Sequence, residues 1–84
     1  MITISIRRML ALRVKHGDRL AMDYLTIALL LGGAPGLCET KQLQKIWGIT
    51  QPNVSRRMKQ LATAELIEMT AGHGAYAVHE LKLQ

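Results

Sequence analysis

The stretch "GITQPNVSRRMKQL", Gly48 to Leu61, is where the fold is decided. Thr50 belongs to the residue types that start helices, since its hydroxyl can accept from the free amides of a first turn. Pro52 sits within that turn, where its missing N–H costs little. At about 100° per residue, Val54, Met58 and Leu61 then fall within a narrow arc, so a helix running to about Thr63 turns this side to a core. Pro52, Arg56, Lys59, Gln60 and Thr63 fall opposite, with Asn53 and Ser55 at the flanks.

Working outward, Gly48 ends the segment "KQLQKIW", for which Thr40 is the candidate N-cap. Leu43, Ile46 and Trp47 share one face of that helix and, with Ile49, are the expected packing partners of Val54, Met58 and Leu61. Lys41, Gln44 and Lys45 lie elsewhere. Just before it, Leu37 and Cys38 suit a very short strand. Beyond Thr63, "ELIEMT", "AGHGA" and "YAVHEL" predict two strands around a glycine-containing tip, with Leu66 alternating with Glu68 and Tyr76 with Val78.

Toward the N-terminus the punctuation is "HGD" at 16–18 and "GGAPG" at 32–36. Ile6, Met9, Leu10 and Val14 have a helical spacing, although Ile2, Ile4 and Ile6 also alternate as a strand would. These apolar residues suit either a dimer interface or the core. Arg7, Arg8, Arg13 and Lys15 of the same segment read as solvated or dimer-flanking. Gly17 is a plausible helix stop and Asp18 a plausible N-cap for "RLAMDYLTIALLL", a largely buried helix at the back of the core. The resulting plan is a single domain over residues 1–84, mainly α with a small β-hairpin. Its parts are an N-terminal helix (1–17), a buried helix (18–33), a helix-turn-helix (40–63) and a hairpin (66–80).

An 84-residue chain has room for one domain and one function. So small a core stabilises only marginally, and self-association is a natural supplement. Eleven Lys and Arg against six acids give a formal charge of +5, which attracts polyanions, nucleic acid first among them. Cys38 is the only cysteine, so no intrachain disulfide can form and a cytoplasmic location is the default. Arginines inside the first apolar stretch argue against a signal peptide. The longest apolar run, "LTIALLLGGA", is too short to span a bilayer, and no membrane partner is expected.

Two short helices joined at Gly48-Ile49-Thr50 fit a helix-turn-helix, whose second helix lies in the DNA major groove, and the hairpin after it makes the unit winged. Arg56 is the first choice for base reading, because its planar fork can bond guanine O6 and N7 together, worth roughly 1–3 kcal/mol of discrimination. Gln51 and Asn53 are amides suited to adenine, and Ser55 and Lys59 suit a base or a phosphate. Arg57, nearer the core edge, is expected at a backbone phosphate, as are the amides that start the helix near Thr50, while Pro52 belongs with Gln51 and Asn53 to the tip aimed at base edges. Lys41 and His73, at the ends of the preceding helix and of the hairpin, complete the candidate DNA contacts.

The segment "LQKIWGITQPNVSRRMKQLATAELIEM" resembles the winged-helix core of bacterial regulators of the MarR and AsnC kind, over about residues 37 to 79. Gly48, Ile49, Gln51, Pro52, Val54, Ser55, Arg56, Leu61, Leu66 and Ile67 carry the resemblance. It implies sequence-selective binding of double-stranded DNA, as a homodimer on a palindromic site, in transcriptional repression. Three positions depart from the pattern. Gln44 replaces a small residue at the helix crossing, Glu65 stands where a glycine is usual, and the hairpin tip offers His73 in place of an arginine.

Other readings share these residues. The basic face could be solvated on a plain trihelical core, or the winged helix could dock a protein. An architectural or plasmid replication and partition protein would also bind DNA with it. Cys38, His73 and His79 match no zinc spacing, so neither metal nor cofactor is expected. No nucleophile, base and acid are arranged together, and Asp18, Asp23 and Glu39 have no carboxylate partner at a suggestive spacing, so an enzyme is not expected.

Overall fold

The computed structural model describes residues 5–83. The alternation at Ile2 and Ile4 lies outside them. Four helices and a three-stranded antiparallel sheet follow in the order α1 (Ile6–His16), α2 (Asp18–Leu30), β1 (Gly36–Glu39), α3 (Thr40–Trp47), α4 (Gln51–Thr63), β2 (Ile67–Ala71) and β3 (Ala75–Leu81). No described helix is long and apolar enough to cross a membrane.

Ser5 caps α1 by accepting from the Arg8 amide at 3.1 Å. Gly17 ends it at φ +89°, a conformation that side chains other than glycine rarely adopt, and its N–H closes on the Arg13 carbonyl at 2.9 Å. The same glycine is the N-cap of α2, so Asp18 is the first helical residue and not the expected cap. Its carboxylate turns back to Arg13 Nε at 2.7 Å instead, and that hydrogen bond holds the carboxyl below its ordinary range. In α1 the buried residue is Leu12, supported by Met9. Ile6 (80% exposed), Leu10 and Val14 (89% exposed) run along the opposite side, so three of the four residues expected at an interface or in the core are outside the core of the chain itself.

Along α2, Leu20, Ala21, Tyr24, Ile27 and Ala28 face inward, as a helix at the back of the core requires. The Tyr24 hydroxyl accepts from the Leu83 amide at 3.1 Å, which ties the end of the chain to this helix. The helix stops at Leu30, three residues short of the expected boundary, where the chain turns through Gly32 and Gly33.

The strand expected at Leu37–Cys38 spans four residues and pairs with β3, Cys38 opposite Tyr76, giving the sheet order β1-β3-β2. Burial raises the Cys38 thiol to about 11, so it is neutral and inert at ordinary pH. The Thr40 amide donates to the Gly74 carbonyl at 3.0 Å, extending the strand pairing up to the helix. Glu39 therefore occupies the N-cap of α3, and Thr40 is a buried first residue and not the cap.

Between α4 and β2, Glu65 takes φ +60°, the left-handed conformation for which glycine is favoured. Glu65→Gly should raise stability by up to about 1 kcal/mol, read as a higher urea midpoint with unchanged slope. Leu66 does not alternate with Glu68 in one strand. It lies in the turn, where its amide donates to Leu61 O and its carbonyl accepts from Lys82 N, and strand alternation begins at Ile67. Leu66 and Ile67 are both buried as a result. Tyr76 and Val78 point inward from β3 as expected.

Candidate nucleic-acid interface

Gly48 ends α3 in the left-handed region at φ +64°, with its N–H on the Gln44 carbonyl at 2.8 Å. The Ile49 N–H shares that acceptor at 3.2 Å, so Gln44, half-buried at the crossing, fixes the turn through its backbone. Thr50 is the N-cap residue of α4, but the expected hydroxyl cap does not form. A capping oxygen takes the second or third helical amide. The second residue here is Pro52, which has no N–H, and the third, Asn53, already donates to the Thr50 carbonyl at 3.1 Å.

Val54, Met58 and Leu61 are fully buried (0%), which sets the rotation of α4. That rotation leaves Gln51, Pro52, Arg56, Lys59, Gln60 and Thr63 exposed, with Asn53 and Ser55 half-buried beside them. Thr50 and Lys41 are exposed as well, and so is His73 at the β2–β3 tip. The Gly74 contact to Thr40 holds that tip against the start of α3, the helix that carries Lys41.

Arg57 departs from expectation. Its guanidinium donates to Asp23 Oδ1 on α2 at 3.3 Å and lies 5.3 Å from the centre of the Trp47 ring on α3. The cation expected at a phosphate is drawn onto a buried carboxylate and bridges three helices, with its own side chain still 23% exposed. Asp23 is only 2% exposed. Burial raises its carboxyl above the ordinary range, and the charges of Arg57 and then Arg19 pull it back. Ile46 also departs from expectation: Leu43 is fully buried and Trp47 partly so, while Ile46 remains half exposed on the outer side of a helix only eight residues long.

No family model, curated protein or solved structure matches this chain. The exposed side of α4 presents amides at its N-terminal end and two cations behind them, on a helix whose opposite side is locked into the core. Such a surface can donate and accept hydrogen bonds and attract anions. Among the described residues no three His, Cys, Asp or Glu side chains are grouped to hold a metal ion. Cys38 is buried, and the His79 ring pairs with the Thr70 hydroxyl at 2.7 Å.

Asp23 is the residue that the spacing of carboxylates did not single out. The available signal was chemical: it is the one acid inside the apolar run from Leu20 to Leu31, where a charge has to find a partner.

Proposed function

We propose that the chain is a winged helix-turn-helix protein of the MarR and AsnC kind that binds double-stranded DNA sequence-selectively through α4. In this reading α3 braces α4, the β2–β3 hairpin is the wing, and the protein is a cytoplasmic transcriptional repressor and not an enzyme. The observation that carries the reading is the division of α4. Three fully buried residues fix its rotation, and hydrogen-bonding and cationic side chains occupy the side left in solvent. A homodimer belongs to the same reading, supported by the exposed apolar row Ile6, Leu10 and Val14 on α1, which a lone domain would leave in water.

Selection of bound sequences from random duplexes, followed by anisotropy titration, tests this directly. Arg56→Ala should weaken binding to the selected site by roughly 1–3 kcal/mol and relax preference at one base pair. Failure of the wild type to enrich any sequence, or an Arg56→Ala protein that keeps both the affinity and the base preference of the wild type, would overturn the assignment of α4.

A further inference from the structure

Beside the C-terminal half of α4 the chain forms an open cleft of about 530 Å3. Arg56, Lys59, Gln60 and Thr63 line one side, and His16 and Arg19 from the α1–α2 junction line the other. Among the described residues no acid lines it. Arg19 is held in place there: its guanidinium donates to Gln60 Oε1 and lies 3.7 Å from Asp23 Oδ2. About half of the side chain (52%) is still exposed. A guanidinium has five N–H donors, so these contacts leave others for a ligand.

Helix length says what that ligand is. The 13 residues of α4 span roughly 20 Å, whereas a DNA major groove is about 12 Å wide. With Gln51 and Pro52 at the base edges, a helix that enters N-terminus first and across the groove carries its C-terminal half out past a sugar-phosphate strand. Lys59, Gln60 and Thr63 stand at that exit, with Arg19 beside them.

We propose that this cleft holds one backbone phosphate of the bound duplex, with Arg19 as its principal ligand and Lys59 as the second cation, a placement that rests on the reading of α4 as the groove-entering helix. Asp23 thereby orients two arginines with different tasks. Arg57 fastens α4 to the body of the protein, and Arg19 is aimed outward at the strand. Free inorganic phosphate offers the same chemistry from another source, and the two sources separate by experiment.

The measurement is anisotropy of the full chain on a selected duplex across about 50 to 200 mM salt. Arg19→Ala should lower affinity roughly fivefold near 0.1 M salt and reduce the log–log salt slope by about 0.9, without changing the order of preferred sequences. Arg19→Lys should recover most of the slope. Thr63→Glu adds an acid to the cleft while leaving both the Arg19 and Asp23 side chains in place, and should weaken binding to all sequences at an unchanged unfolding temperature. If the wild type binds and both Arg19→Ala and Thr63→Glu match it, the cleft assignment falls while duplex binding stands. If the wild type binds no duplex, both fall. Saturable binding of inorganic phosphate, seen in NMR shifts of His16 and lost in Arg19→Ala while the duplex slope stays unchanged, would overturn the backbone assignment in favour of a free anion.

Discussion

Replacing Arg57 with alanine should lower the stability of the fold by about 3–5 kcal/mol, a large share of the roughly 5–15 kcal/mol that holds a typical domain together. The loss comes from what is left behind. Asp23 is buried on α2, and without the guanidinium at 3.3 Å its charge keeps only Arg19, at 3.7 Å and itself half in solvent. The same substitution uncovers the Trp47 ring, a contact worth about 0.5–2 kcal/mol. Arg57→Lys should recover only part of the loss, since an ammonium lacks the planar fork that meets carboxylate and ring together. Urea denaturation at neutral pH reads all three proteins, and equal midpoints would show that the pair holds nothing.

The pH dependence follows from the direction of the Asp23 shift. A carboxyl raised by burial binds its proton more tightly in the native state than in the unfolded chain. Its contribution to stability is therefore fully present below the unfolded value, near ~3.9, and is lost as pH rises through the native value. Arg57 is the stronger of the two opposing charges, so its removal raises the native value further. The cost of Arg57→Ala should be largest at neutral pH and shrink toward about pH 4. Adding Asp23→Asn to that variant removes the stranded charge, and should restore stability at pH 7 and flatten the profile.

Local order in this chain was legible wherever one period dominated. Val54, Met58 and Leu61 stand among polar residues, so only one rotation of α4 buries them, and the turn at Gly48 has few alternatives. In α1 two rows compete: Ile6, Leu10 and Val14 outward against Met9 and Leu12 inward. Periodicity marks both rows and says nothing of which one meets the core. The caps were displaced by one residue at Asp18 and Thr40 for a similar reason. A side chain able to cap identifies a helix start, but the preceding Gly17 and the strand pairing through Glu39 decide where the first turn closes.

Contacts between distant segments were the least legible. Asp23 and Arg57 are 34 residues apart, and β1 finds β3 across two helices. Spacing along the chain carries no record of either pairing. Arg57 belongs by angle to the edge of the exposed face, and only the approach of α2 turns its guanidinium inward. What could be read was the anomaly at Asp23, an acid in an apolar helix, without the identity of the partner.

Met58→Ala should cost about 2–5 kcal/mol, because Met58 is fully buried in the middle of α4 and its neighbours on both sides, Val54 and Leu61, are equally buried and cannot close around the space. Met58→Leu, which keeps the volume, should cost less than about 1.5 kcal/mol. Ile46→Ala should cost less than Met58→Ala, since half of Ile46 is already in water. Under the proposed reading Met58 touches no DNA, so its loss weakens duplex binding only by unfolding part of the population. Trimethylamine oxide strengthens burial without supplying any base contact. It should return Met58→Ala to wild-type affinity and leave Arg56→Ala weak. A Met58→Ala protein that is folded in osmolyte and still binds weakly would mean that the shape of this side chain sets the angle of α4 in the groove, and that the anchoring and reading sides of the helix cannot be separated.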